Sequence, residues 1–132
     1  MFKYLFIFFI FMKVTLYSDK ITKARVDTLV VPVFEQESKN SHLSSLGAQY
    51  QKELTRALKA KEFSAKFGEL FKISTLGKFP FSNILLIGLG KKKDLDSEQL
   101  RRAAAKSHKT VKAMKATKYL SLLTTACDHP LN

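Results

Sequence analysis

The part of the sequence that most resembles a ligand-binding motif is a glycine turn followed by three lysines. Gly88-Leu89-Gly90 ends an apolar run, and Lys91-Lys92-Lys93 connects it to an expected helix start. Glycines let a backbone approach a phosphate closely, and the amino end of a helix favours an anion. The dinucleotide fingerprint, however, needs a third glycine where this sequence has Lys93, and the ending of the phosphate-binding loop is also missing. A tight turn between a strand and a helix is therefore the favoured interpretation.

Potential metal ligands and nucleophiles form no recognisable constellation in the sequence. His42, His108 and His129 are scattered, whereas zinc sites commonly contain a close pair of histidines or cysteines. A group of acidic residues lies at an expected helix start, where exposed amides stabilise negative charge: Asp94, Asp96 and Glu98. Serines are plentiful, but nothing in the sequence places His108 beside one. The sequence therefore predicts neither a metal site nor a nucleophile with its base.

A basic helix is the remaining candidate for chemistry. No acidic residue occurs from Leu100 to Cys127, and four side chains in this stretch are candidate phosphate contacts: Arg102, Lys106, Lys109 and Lys112. Tyr119 is the only aromatic residue there, so bases would find no stacking platform on the same face. A solvated charged face is the favoured interpretation, with weak, non-specific DNA binding as the alternative.

The composition fits one folded domain. The chain has 132 residues, and single domains commonly run to about 100 to 150 residues. Hydrophobic residues make up 45% and charged residues 26%, which is typical of a globular protein and not of a disordered one. The net charge of +12 favours polyanionic partners but narrows the partner class only weakly. Cys127 is the single cysteine, so nothing indicates a disulfide or an oxidising compartment.

Apolar runs predict five strands and two helices. The strands are expected at 13–17, 27–34, 69–74, 83–90 and 119–124, and the helices at about 46–59 and from 96 onward. Asp96 and Gln99 have the spacing of a capping box, and Pro32 is expected at a bulge or unpaired position because it lacks an amide donor. Residues 35–45 are polar and irregular. This order predicts a three-layer α/β domain in which helices pack against a mixed sheet.

The first eleven residues differ from the rest. The apolar run from Tyr4 to Met12 would reach only about 14 Å as a helix, roughly half of a bilayer core, so it cannot span a membrane. It follows a basic start, as in a signal peptide, but residues 13–18 contain no small-residue cleavage site. A third interpretation is that Met12 is the true start and that residues 1–11 are a translated upstream stretch.

Four stretches, in their order and spacing, together resemble the amino-terminal domain of the leucyl aminopeptidase (cytosol aminopeptidase) family. They are Met12-Lys13-Val14-Thr15-Leu16, Asp27-Thr28-Leu29-Val30-Val31-Pro32-Val33-Phe34, Gly68-Glu69, and Asn83-Ile84-Leu85-Leu86-Ile87-Gly88-Leu89-Gly90-Lys91 followed by Leu95 and Leu100-Arg101-Arg102-Ala103. The resemblance covers residues 12–125, for which it implies a macro-domain-like α/β fold, and leaves 126–132 as an unstructured tail. Family members begin near Met12, so residues 1–11 are expected to be a dispensable extension.

The resemblance also implies what this chain lacks. In full-length family members, a larger carboxyl-terminal domain carries two divalent metals, zinc or manganese, with the catalytic lysine and arginine. None of the motifs of that domain occurs in residues 1–132, so no catalytic, cofactor-binding or metal-binding residue is assigned. The resemblance thus implies a truncated, non-catalytic domain of a cytoplasmic metallo-aminopeptidase, inactive alone. Its partner would be the catalytic domain, and its role would be assembly or regulation.

Two other functions stay open at the level of sequence. One is a freestanding macro-like module that binds a nucleotide through Gly88-Leu89-Gly90. The other is a small basic nucleic-acid-binding protein. Some members of the family bind DNA, which agrees with the basic helix. No membrane partner is indicated.

Overall fold

The computed structural model describes residues 4–8, 13–17, 19–37 and 39–126, which form a mixed sheet with helices on both faces. The strands are β1 (Tyr4–Phe8), β2 (Lys13–Tyr17), β3 (Thr28–Val33), β4 (Leu70–Ser74), β5 (Asn83–Gly88) and β6 (Lys118–Ser121). The helices are α1 (Ser41–Leu46), α2 (Ala48–Lys59) and α3 (Ser97–Ala113), with 3-10 turns at Ile21–Lys23, Lys92–Asp94 and Leu123–Ala126. The predicted three-layer α/β fold is confirmed.

The centre of the sheet consists of parallel strands. The strand order is β2-β1-β6-β3-β5-β4, in which β3 runs parallel to both β5 and β6. β1 and β4 run antiparallel to their inner neighbours. All of β3 and nearly all of β5 are buried, as expected of continuous apolar runs in parallel strands. The carboxyl ends of β6, β3 and β5 therefore meet at one edge, where ligands commonly bind in α/β folds.

Pro32 lies near the carboxyl end of β3, where its missing amide leaves no gap in the sheet. Val30 accepts a 3.0 Å hydrogen bond from the amide of Leu122, just beyond the end of β6. Alternate residues of a strand direct their backbone groups to the same side. Pro32 therefore faces the side on which β6 has already ended, in agreement with the expected unpaired position. Its carbonyl oxygen accepts a 3.0 Å hydrogen bond from Asn40 Nδ2.

The two faces of the sheet bury separate apolar clusters. On one face, Leu43 of α1 and Leu54 of α2 belong to the same cluster as Leu29 of β3. On the other face, Leu100 of α3 belongs to the same cluster as Val30 of β3. Leu29 and Val30 are neighbours on opposite faces because side chains alternate along a strand. Burying each such side chain contributes about 1.5 to 3 kcal/mol to stability.

The segment before α2 is more regular than expected. Asn40 caps α1 by accepting hydrogen bonds from the amides of His42 and Leu43 at 3.0 and 3.1 Å. Residues 41–46 therefore form a helix where an irregular segment was predicted. Gly47, with a φ of 152°, separates α1 from α2. Leu46 was expected at the start of the longer helix, but it is the last residue of α1.

The start of α3 agrees with the sequence pattern. The Asp96 carboxylate accepts a hydrogen bond from the Gln99 amide at 2.8 Å, which is the capping half of the predicted box. The inner stripe of the helix is buried at Leu100, Ala103, Ser107 and Val111. The capping signal and the apolar period therefore located this helix correctly.

Residues 4–8 were expected to lie outside the fold, but they form strand β1 of the sheet. β1 pairs antiparallel with β2, from Tyr4 opposite Tyr17 to Phe8 opposite Lys13, and on its other side with β6. The expectation was wrong for these residues because an apolar run too short to span a membrane is long enough for a strand. The start at Met12 stays a prediction, since residues 1–3 and 9–12 lie outside the described residues.

The described helices and the end of the chain complete the fold. No helix among the described residues is long and apolar enough to cross a membrane. Leu123–Ala126 forms a 3-10 turn, so the first residue of the expected unstructured tail belongs to that turn. Cys127, His129 and the other residues of that tail lie outside the described residues.

Candidate functional site

The amides of the glycine turn after β5 make their hydrogen bonds within the protein. The amides of Gly88, Leu89 and Gly90 all donate hydrogen bonds to backbone carbonyl oxygens. Their acceptors, at 2.7, 2.9 and 3.0 Å, are Glu69, Val33 and Ala65. A phosphate-binding turn needs amides that point at the ligand. These three amides are already engaged, so the turn is the structural end of a strand, as the sequence favoured.

Gly88 is required by the close approach of the loop that precedes β4. A Cβ atom placed on Gly88 would lie 2.2 Å from the carbonyl oxygen of Lys66 and 2.6 Å from the carbonyl carbon of Ala65. Close-packed interiors leave no room for such an atom. Packing therefore accounts for this glycine without a ligand.

A cleft of about 400 Å³ lies at the carboxyl end of β3. Its walls come from the segment after β3, the start of α1, Lys92 beyond β5 and the 3-10 turn after β6. Its lining includes the polar side chains of Glu35, Glu37, Asn40, His42, Lys92 and Thr125. Because it lies at the edge where the parallel strands end, this cleft is the candidate functional site.

Asn40 organises the cleft and is only 2% exposed. Its Nδ2 donates to the Pro32 carbonyl oxygen at 3.0 Å and to Glu37 Oε1 at 2.8 Å. Its Oδ1 accepts the two amide hydrogen bonds that cap α1. Both donors and both lone pairs of the side-chain amide are therefore used. One buried side chain thus holds β3, the Glu37 segment and α1 in a fixed relation.

Glu37 brings a half-buried carboxylate to the cleft. Besides Asn40, it accepts a hydrogen bond from the Phe34 amide at 3.1 Å. Burial raises the pKa of Glu37, while the two hydrogen bonds and the Lys92 ammonium oppose part of that rise. Lys92 Nζ also lies 6.0 Å from the centroid of the Phe34 ring, at the limit of a cation–π contact. The cleft therefore contains both signs of charge.

His42 connects the start of α1 to the turn after β6. Its Nε2 lies 2.8 Å from Thr125 Oγ1. The Thr125 hydroxyl donates its one proton to the Leu122 carbonyl oxygen at 2.6 Å, so it accepts from His42, whose Nε2 must carry a proton. Burial lowers the pKa of His42, which favours the neutral ring. The imidazole thus donates to the hydroxyl, the reverse of a base that activates a nucleophile.

The residues of this cleft show almost no pattern in the sequence. His42 and Thr125 are 83 residues apart, and only the sheet brings them together. Of these residues only Asn40 could be predicted to have a structural role, because an asparagine before an apolar-periodic segment is typical of a helix N-cap. Glu37 could not, since a glutamate in a polar segment is usually solvated.

The four candidate phosphate contacts on α3 are all exposed: Arg102, Lys106, Lys109 and Lys112. Arg102 Nε lies 3.1 Å from Glu98 Oε1, and Arg101 contacts the same oxygen at 2.7 Å. Hydrogen bonds from Arg101 and Arg102 lower the pKa of Glu98 to about 2. The Glu98 carboxylate therefore offsets part of the positive charge at the first turn of α3. Nucleic-acid contact by the four residues stays a prediction.

The acidic residues near the start of α3 serve the helix. Asp96 caps it and Glu98 pairs with the two arginines. Across the residues that the structure describes, no group of three or more His, Cys, Asp or Glu side chains is placed to hold a metal ion. The two divalent metals that the resemblance implies for the parent enzymes thus find no fitting ligand set here.

Comparison with solved structures establishes the class of fold. The macrodomain of Mycobacterium tuberculosis DarG matches with a TM-score of 0.61 and 12% identity, over 76% of this chain and 68% of that chain. A mutant of tomato leucine aminopeptidase matches with a TM-score of 0.55 and 21% identity, over 76% of this chain and 20% of that chain. Identities this low bear on the fold alone, which is macro-domain-like α/β.

Comparison of sequences establishes the family. The model of the cytosol aminopeptidase family, N-terminal domain, matches residues 30–129. Probable cytosol aminopeptidases of Alkaliphilus oremlandii (strain OhILAs) and Geobacter sp. (strain M21) are 35% and 34% identical over 106 and 119 residues. These matches cover 80% and 90% of this chain but 21% and 24% of the relatives. The chain belongs to the cytosol aminopeptidase family and corresponds to its N-terminal domain.

Proposed function

We propose that this chain acts as the non-catalytic amino-terminal domain of a metal-dependent leucyl aminopeptidase and contributes to the assembly or regulation of that enzyme. The family match across residues 30–129 is the observation that carries the proposal. The chain spans only about a fifth to a quarter of the two relatives, at 21% and 24% of their length. Most of such an enzyme therefore lies outside the region that this chain matches.

We infer that the chain is inactive alone, because its family match is to the N-terminal domain. His42 donates its hydrogen bond to Thr125, so it does not act as a base toward that hydroxyl. In this proposal the two divalent metals, zinc or manganese, belong to the catalytic domain. The setting is peptide turnover in the cytoplasm, and the main partner of the chain is the catalytic domain.

The first experiment tests the absence of catalysis. The purified chain is assayed with leucine amide in the presence of manganese or zinc, and its metal content is measured after dialysis. We expect no turnover above a buffer control and no retained metal. Robust hydrolysis, or one tightly held metal per chain, would falsify the proposal.

The second experiment tests the role in assembly. The catalytic portion of the Alkaliphilus oremlandii relative is produced alone and together with this chain, and both preparations are examined by light scattering and leucine amide hydrolysis. We expect a complex of defined mass that forms or works better when the chain is present. A Gly88→Val variant, in which the side chain clashes with the Lys66 carbonyl oxygen, is the unfolded control. Equal assembly and activity without the chain would contradict the proposed role.

Nucleotide binding is not favoured as a second function. It would use the turn at Gly88-Leu89-Gly90, and all three amides of that turn donate to backbone carbonyl oxygens. These amides are therefore not available to a nucleotide. The fold shared with a macrodomain does not by itself indicate nucleotide binding, since one fold hosts many functions.

A further inference from the structure

The strand β4 forms one edge of the sheet that the structure describes. β4 is the last strand in the order and, within the described residues, pairs only with β5. The amide of Thr75 donates to the Ser82 carbonyl oxygen at 3.0 Å, so Thr75, and with it Phe71 and Ile73, faces β5. By the alternation of an antiparallel ladder, the amides and carbonyls of three residues point outward: Leu70, Lys72 and Ser74.

A groove of about 470 Å³ lies beside this edge, between α2 and the turn that follows β4. Its apolar lining includes Tyr50, Ile73 and Leu76. Leu76 is 91% exposed and has a φ of 54°, in the left-handed region that leucine rarely adopts. The side chain gains almost no burial within the described fold, and its backbone is strained. Leu76 therefore offers an exposed apolar side chain at the rim of the groove to a partner.

Lys72, at the middle of the β4 edge, restricts what can pair there. It is exposed, and lysine on an edge strand opposes pairing between copies because like charges meet. Two β4 strands paired antiparallel about Lys72 would place two ammonium groups on opposite positions, which destabilises a strand pair. An acidic residue in that position would instead be attracted. The edge is therefore suited to a partner of different sequence.

We propose that β4 and its groove form a docking site for an extended protein segment with alternating apolar and acidic residues. The segment adds to the sheet as a further strand and bonds to the outward backbone groups of β4. An acidic side chain faces Lys72, and an apolar side chain on the other face enters the groove beside Tyr50 and Leu76. This docking site shares no lining residue with the cleft after β3.

The test uses the whole chain and a defined probe. The probe is the peptide acetyl-Val-Glu-Ile-Asp-Val-Glu-Val-amide, and its control carries N-methyl groups on the amide nitrogens of the central aspartate and of the valine that follows it. Amide hydrogen exchange is followed by NMR while each peptide is added. We expect the probe to slow exchange at Leu70, Lys72 and Ser74, while Phe71 and Ile73 are already protected by β5. The N-methylated peptide should have no such effect, since a methyl group replaces a bonding amide proton whether the peptide runs parallel or antiparallel to β4.

Charge variants identify the contact. Lys72→Glu should weaken binding of the probe about tenfold, because an attractive cross-strand pair becomes a repulsive one. Lys59→Glu makes the same charge change at an exposed position of α2 and should leave the affinity unchanged. A probe with lysines in place of its acidic residues should prefer the Lys72→Glu chain. Leu76→Asn introduces a residue that tolerates the left-handed backbone but is polar. This variant should also weaken binding, because the apolar contact is lost.

Three outcomes would overturn the proposal. The first is unchanged exchange at the outward amides at millimolar probe. The second is equal affinity in the Lys72→Glu and Lys59→Glu chains. The third is a dimer of the unliganded chain with those same amides protected, which would assign the edge to a second copy.

Discussion

The neighbouring parallel strands β5 and β3 differ in the groups that make the hydrogen bonds at their carboxyl ends. After β5 the backbone closes on backbone, through the amides of Gly88, Leu89 and Gly90. After β3 the closure uses side chains, chiefly the buried amide of Asn40 and the carboxylate of Glu37. The first arrangement leaves none of these three amides for a ligand, and Gly88 tolerates no added Cβ atom. The second leaves a charged cleft. The glycine turn resembles a binding motif in sequence, but its amides bond within the protein. The candidate site is the cleft formed by the polar segment after β3.

The largest expected effect is on the β5 end. Gly88→Ala places a Cβ atom 2.2 Å from the Lys66 carbonyl oxygen, and we expect a loss of about 3 kcal/mol in unfolding free energy, measured by urea denaturation. Gly77→Ala is the control at an uncrowded position. Gly77 has a positive φ of 81°, which Gly88 does not, but no atom lies within 4 Å of its Cβ position, so the variant should lose only about 1 kcal/mol for backbone strain. Equal losses would show that the β5 end is not tightly closed.

The next effect tests the side-chain closure after β3. Asn40→Ala removes four hydrogen bonds at a position that is 2% exposed, and we expect a loss of about 2 to 3 kcal/mol in the same measurement. Asp96→Ala removes an exposed cap of α3 and should lose about 1 kcal/mol. If both caps contribute equally, Asn40 is an ordinary helix cap and does not organise the cleft.

A smaller effect should appear as a pH dependence of stability. Burial lowers the pKa of His42, so the folded chain binds fewer protons there than the unfolded chain does. The contribution of His42 to the free energy of unfolding is fully present above the pKa of histidine in the unfolded chain, about 6.5, and decreases as the pH drops below that value. Glu37 acts in the opposite sense at lower pH, because its raised pKa makes the folded state take up its proton first.

The variant His42→Gln isolates this contribution. It keeps a donor for Thr125 Oγ1 but does not titrate, so its stability should fall less than that of the native chain between pH 7.5 and 5.5. Thermal midpoints at matched ionic strength provide the measurement. Parallel curves for the two chains would mean that His42 does not sense pH in this cleft.

The smallest effect on stability concerns α3, the helix that begins beyond the glycine turn. Changing Arg102, Lys106, Lys109 and Lys112 together to glutamine should leave the urea midpoint nearly unchanged, because all four are exposed. Any DNA binding should be weak and non-specific, with a log–log salt slope near 0.9 per neutralised phosphate, and should be lost in this variant. The control changes four other exposed lysines to glutamine: Lys20, Lys23, Lys59 and Lys61. An equal loss in both variants would assign the binding to net charge alone.

The elements with strong local patterns could be predicted from the sequence. β3 and β5 are continuous apolar runs, and α3 has both a capping pair and an apolar period, so type and position agreed with the structure. The six-residue helix α1 was missed, because so short a helix depends on its cap and not on a period. β1 was misassigned, because a short apolar run has no period that separates a strand from an extension.

The cleft could not be predicted, for a physical reason that its residues illustrate. Asn40 and Glu37 are ordinary polar residues in a polar stretch, and their burial follows from how β3 and α1 meet. Thr125 reaches His42 only because β6 lies next to β3. The glycine turn, by contrast, was correctly interpreted as structural, because the missing third glycine can be read directly from the sequence.

The position of β1 between β2 and β6 has a consequence for how the protein is made. Leu5 pairs with Ser121, so β1 leaves the ribosome about 116 residues ahead of the strand that it joins. At typical rates of synthesis the interval is roughly ten seconds, during which β1 has only β2 to pair with. A two-stranded hairpin is at best marginally stable in water. The nascent chain therefore carries an open strand edge until β6 emerges, and that interval is when chaperones or neighbouring chains can compete for it.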